Sequence, residues 1–154
     1  MSRAFVKETD GAEGQELPEL RVSPHRNLVT PNGLRQIEAQ VERLQAALSA
    51  ARVAQDRAEI ARVRRDLRYW SERLRTAEAV TWAPAPGVVR FGSTVTLLKP
   101  DGSRVNYQIV GEDEADPAAG RISYVSPIAR LLQGAGVGDE IALADGAAGV
   151  LEIT

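Results

Sequence analysis

The sequence predicts an α+β protein: an N-terminal antiparallel helical hairpin, packed as a coiled coil, followed by a small β-sheet domain with one short helix. Three observations carry this. Apolar residues recur at steps of three and four in two separate runs between residues 30 and 80. A proline-rich break, "APAPG", interrupts the chain at 83–87. Beyond it the apolar period falls to two and turn residues appear at short intervals.

Residues 1–28 read as a flexible tail. The stretch "ETDGAEGQELPELRVSPHRN" is rich in Glu, Gly and Pro and poor in aromatics. It offers too little apolar surface to offset the entropy of ordering, although part of it has the means to lie against the folded body.

Residues 29–81 read as the hairpin. Thr30 is an N-cap and Pro31 suits the first helical position. Leu34, Ile37, Val41, Leu44 and Leu48 form one seam; Ile60, Val63, Leu67, Trp70, Leu74 and Ala77 form the second. The polar stretch "SAARVAQDRAE" between them predicts a short connection and antiparallel arms. Neither arm is stable alone in water, so each needs the other. The charges between the seams fit a solvated exterior.

Residues 82–87 read as a linker, because two prolines cannot continue a helical ladder. Residues 88–154 read as the β domain. "VVRFGSTVTLL" is a strand, "KPDG" a turn, "RVNYQIV" the return strand and "RISYV" a third strand. Ser126 and Pro127 start a short helix that Gly134 ends, and "DEIALA" and "VLEIT" complete five strands around the turn "DGAAG".

Composition narrows the function. The chain has 154 residues, 26% charged and 44% hydrophobic, with no cysteine and a single histidine, His25. Thiolate metal sites and disulfides are excluded, and one histidine cannot build a zinc site. No apolar run is long enough to span a bilayer, and the start of the chain has no apolar signal core, so a cytoplasmic protein with no membrane partner is expected. Charge is uneven: 10 basic and 7 acidic residues between 29 and 81, against 5 and 9 between 82 and 154. Such asymmetry suits a protein that turns different faces to a large charged partner. Glu112, Asp113, Glu114 and Asp116 crowd into one loop, which reads as a metal site, a docking surface or a solvated turn.

The order of these pieces resembles the GreA/GreB transcription elongation factors of bacteria. The resemblance covers residues 29–154 and is strongest in "VRFGSTVTLL", "YQIVGEDEAD", "ISYVSPIAR" and "GVGDEI"; the opening "MSRAFVKE" is similar to some GreB-type starts. It implies an FKBP-like C-terminal domain that docks at the rim of the secondary channel of bacterial RNA polymerase, with the hairpin projecting toward the active centre and meeting nascent RNA only within that complex. It also implies an accessory factor, not an enzyme, acting as a monomer with no cofactor of its own. In cleavage-competent members two acids at the tip help hold a magnesium ion of the polymerase, a role hard carboxylate oxygens suit. The corresponding residues are Asp56 and Glu59, the expected catalytic and magnesium-holding pair. Ser126, Pro127, Ile128 and Arg130, with Asp113 and Glu114 of the acid loop, are the expected polymerase-docking residues.

The tip departs from the family pattern. Asp56, Glu59 and Ala61 match, whereas Gln55, Ile60, Arg62 and Val63 replace a glycine, an asparagine, an acid and a tyrosine. Asp-x-x-Glu is also a capping-box pattern that would start a helix whatever the protein did. Each arm is about eight to ten residues shorter than in typical members, a deficit of roughly 12–15 Å at about 1.5 Å per residue. A short-coiled, Rnk-like regulator without cleavage activity is the alternative. Prolyl isomerase activity does not follow from an FKBP-like fold, and aromatics are only 5% of the chain. Autonomous RNA binding by the arginines of the second arm is a further alternative.

Overall fold

The computed structural model describes residues 17–81 and 87–154. The expected tail lies outside the described residues as far as residue 16, and the expected linker over 82–86. Helix α1 spans Pro31–Val53 and helix α2 spans Arg57–Thr76. They pack against each other with Ile37, Val41, Leu44, Ala51 and Val63 buried between them. The connection is tighter than "SAARVAQDRAE" suggests: α1 runs to Val53 and only residues 54–56 turn the chain. Alanine, arginine and glutamine are good helix formers, so polarity there did not mean a loop.

Residues 17–28 do not behave as a free tail. A two-residue strand, β1 (Leu28–Val29), pairs in parallel with β2 (Glu78–Ala79) after α2. The Asn27 side chain donates to the Arg73 carbonyl at 2.7 Å, and the segment before it is bonded to both halves of the molecule.

The β domain holds strands β3 (Thr94–Leu98), β4 (Arg104–Val110), β5 (Arg121–Ser123), β6 (Glu140–Leu143) and β7 (Gly146–Ile153), with α3 (Pro127–Leu132) between β5 and β6. The sheet order is β5-β4-β3-β7-β6. β4 and β5 are parallel and the other neighbours antiparallel. Alternation puts Val95 and Leu97 of β3, Ile109 of β4 and Val150 of β7 on one face, where Ala129 and Leu132 of α3 cover them. Two sequence expectations shift. Val88–Gly92 makes only an isolated bridge, Val88 with Gly136, before the positive φ of Gly92 (86°) turns the chain into β3. The last hairpin is tighter than "DGAAG" implies, since Leu143 already pairs with Gly146. No helix among the described residues is long and apolar enough to cross a membrane.

Candidate functional sites at the joint, the tip and the short helix

The hairpin meets the sheet at a polar joint. The crossover from β4 to β5 runs through short 3₁₀ turns at Glu112–Glu114 and Pro117–Ala119, and the first delivers the acid cluster to the base of the hairpin. Asp113 accepts from the Tyr69 hydroxyl at 2.5 Å through one oxygen and from Arg73 Nε at 2.5 Å through the other. Arg73 is only 1% exposed, and its Nη2 lies 3.8 Å from Glu112. A guanidinium so buried would cost several kcal/mol without a partner, so Asp113 is a requirement of the fold. Burial, followed by the hydrogen bond to Asp113, pushes the Tyr69 phenol up to about 12.

Glu114 takes the other helix. It is 6% exposed, accepting from the Thr30 hydroxyl at 2.5 Å and from Asn32 Nδ2 at 3.0 Å. The same Thr30 oxygen caps α1 by accepting from the Gly33 amide at 2.9 Å. α1 has no acid in its own first turn. Glu114 supplies that negative charge from the other domain, where the helix dipole favours it. A Cβ at Gly33 would fall 2.6 Å from the Glu114 carboxylate, so a larger residue there would have to displace that carboxylate from Thr30 and Asn32. Asp113 and Glu114, expected on a docking surface, are therefore internal: their oxygens are already bonded to the hairpin. Asp113 and Glu114 brace the hairpin through these bonds. Among the described residues no group of three or more His, Cys, Asp or Glu is placed to hold a metal ion.

At the tip, Asp56 is the N-cap of α2, its Oδ1 accepting from the Glu59 amide at 3.0 Å. Glu59 does not reach back to complete a capping box. It turns to Arg62, which donates to both carboxylate oxygens, with Nε to Oε2 at 2.8 Å. That bond holds the Glu59 carboxyl below its ordinary range. Asp56 and Glu59 lie near each other, but three of their four oxygens accept hydrogen bonds within α2. Gln55 has φ 54°, so the turn uses the left-handed backbone that glycine adopts freely.

In the short helix, Ser126 caps α3 by accepting from the Ala129 amide at 3.3 Å. Pro127 and Arg130 are exposed, while Ile128 is half-buried against the sheet core. Leu131 faces solvent at 53% exposure and Val137 in the following loop at 59%. Neither was singled out from the sequence. Of the acid loop, Asp113 and Glu114 are turned to the hairpin, while Asp116 pairs with Arg121 at 3.3 Å.

A family profile described as "Transcription elongation factor, GreA/GreB, C-term" matches residues 83–153. GreA of Vibrio parahaemolyticus is 51% identical over 82 residues, 51% of this chain and 50% of that protein; the chain spans about half the length of this relative. GreA of Rhodospirillum rubrum is 36% identical over 147 residues, covering 82% of this chain and 94% of the relative. Since 82% of 154 residues is about 126, about 20 of the 147 aligned positions have no counterpart here. Among solved structures, the GreA factor homolog Gfh1 of Thermus thermophilus is 26% identical with a TM-score of 0.40, covering 84% of this chain and 99% of that one. With a relative matched over nearly its whole length and a family profile over the β domain, the chain belongs to the GreA/GreB family of transcription elongation factors.

Proposed function

We propose that this protein binds bacterial RNA polymerase at the rim of the secondary channel through its β domain, aims the hairpin inward and modulates elongation without supplying ligands to the catalytic magnesium. The observation that carries this is the state of the tip. Glu59 is chelated by Arg62 and Asp56 is spent on capping α2. The length of the rod points the same way: α1 has 23 residues and α2 has 20, about 35 and 30 Å at 1.5 Å per residue. The missing aligned positions agree in number with a shortened coil. The braced joint supports a lever, since a foot fixed on the polymerase would set the direction of the rod. Pro127, Arg130 and the neighbouring Leu131 are the residues of that foot most open to a partner.

The test uses a halted, backtracked transcription complex. Addition of the protein is expected to give binding to the polymerase with no RNA cleavage above the polymerase's own rate, and an altered rate of elongation. RNA shortening above that rate would overturn the reading and restore the tip carboxylates, in which case Asp56→Asn should abolish cleavage while leaving binding intact.

A further inference from the structure

Residues 19–27 form no helix or strand, yet they are bonded to both units of the molecule. On the β-domain side, the Ser23 hydroxyl donates to Glu112 Oε1 at 2.9 Å and the Tyr124 hydroxyl donates to the Arg26 carbonyl. On the hairpin side, Asn27 Nδ2 donates to the Arg73 carbonyl and to Thr76 Oγ1, and Arg26 pairs with Glu78 at 2.5 Å. Further out, Glu19 pairs with Arg68 at 2.7 Å. Where the segment enters β1 the fit is close: a Cβ at Gly111 would fall 2.3 Å from the Leu28 carbonyl oxygen.

We propose that residues 19–27 are a releasable strap that tightens the angle between the hairpin and the β domain, on top of the Asp113 and Glu114 contacts that set it. The arrangement of its bonds argues for a lock, because one short segment is tied to Glu112 and Tyr124 of one unit and to Arg73, Thr76 and Glu78 of the other. The composition of those bonds argues for release. Leu20 and Val22 remain 39% and 41% exposed, so the strap is held by polar contacts with little apolar burial. Segments held in that way open locally without unfolding the rest. Glu112 is the sensitive point. One of its oxygens is bonded to Ser23, while the other is buried without a hydrogen bond. A negative charge at position 23 would face Glu112 across a partly buried contact and repel it, whereas a positive charge would pair with it.

The chain has no cysteine, so a pair of spin labels at Val53→Cys on the tip and Val137→Cys on the β domain reports the angle directly in the full-length protein. With the native strap a single narrow distance is expected, and Ser23→Lys should retain it. Ser23→Asp combined with Asn27→Ala should widen it around a similar mean, which the Asp113 and Glu114 contacts still set. In that variant the Glu78 amide, which donates to the Asn27 carbonyl at 2.8 Å, should exchange about tenfold faster or more, while the sheet of the β domain stays protected. A folded double variant that keeps the narrow distance would overturn the proposal, and so would one whose Glu78 amide stays protected. Should the double variant fail to fold, Ser23→Asp against Ser23→Lys gives the same comparison, and equal distance distributions for the two would refute the lock.

Discussion

Arg73 carries a guanidinium at 1% exposure, and its partners Glu112 and Asp113 come from the β domain. Removing one member of a buried pair leaves the other uncompensated, so Asp113→Ala is expected to cost about 3–5 kcal/mol in denaturant unfolding. The double variant Arg73→Met with Asp113→Leu should lose markedly less, since an apolar replacement of both partners leaves no orphaned charge. Additive losses in the two single variants and the double variant would show that the pair is not coupled. Tyr69 gives a pH signature for the same contact. Its phenol rises from 10.0 to about 12 on folding, so the folded state favours the neutral form. The associated stability is fully present below about pH 10 and is lost as pH climbs through 12. Ultraviolet absorbance titration should show a tyrosine that ionises late, and Tyr69→Phe should remove that component. A titration unchanged by the substitution would place the late phenol elsewhere.

At the scale of the element, the hairpin turn shows how one pattern serves two ends. Asp56-x-x-Glu59 reads both as a carboxylate pair and as a helix cap, and Asp56 caps α2 here. Asp56→Ala is expected to destabilise α2 by about 1 kcal/mol, read as a lower melting temperature. Gln55→Gly should stabilise by about 1 kcal/mol, because a side chain in the left-handed region is strained and glycine is not. A loss of stability on Gln55→Gly would mean that the glutamine side chain contributes more than its backbone costs. α3 illustrates a related limit. Its sequence specified a capped start at Ser126, but which of Ile128 and Leu131 meets the sheet depended on how the helix is rolled over Val95 and Ile109.

At the scale of the molecule, the two small units are joined by hydrogen bonds and ion pairs from Asp113, Glu114 and residues 19–27. Gly33 and Gly111 allow the close approach that this needs. Gly111→Ala is expected to push the β1 entry away from the β domain, raising the radius of gyration in small-angle scattering at unchanged secondary structure. An unchanged radius of gyration would show that the joint absorbs a Cβ there by local adjustment alone.

Much of the architecture was legible in the chain. Steps of three and four placed α1 and α2, a period of two placed the strands, and Thr30, Asp56 and Ser126 marked three helix starts. Those are local signals, governed by residues within a turn or two of one another. The candidate sites were less legible because their meaning is set by partners far away. Glu114 lies 84 residues from Thr30, and Asp113 lies 40 from Arg73, so no window of sequence contains both members. Arg73 sits among the other arginines of α2, with nothing local to mark it as the buried one. Sequence by itself determined the two units, their seams and their family likeness, since apolar periodicity and capping are properties of neighbouring residues. Only the tertiary structure decided that Asp113 and Glu114 bond to the hairpin, and that residues 19–27 are tied to both units, because buried charge finds its partner through the fold and not along the chain.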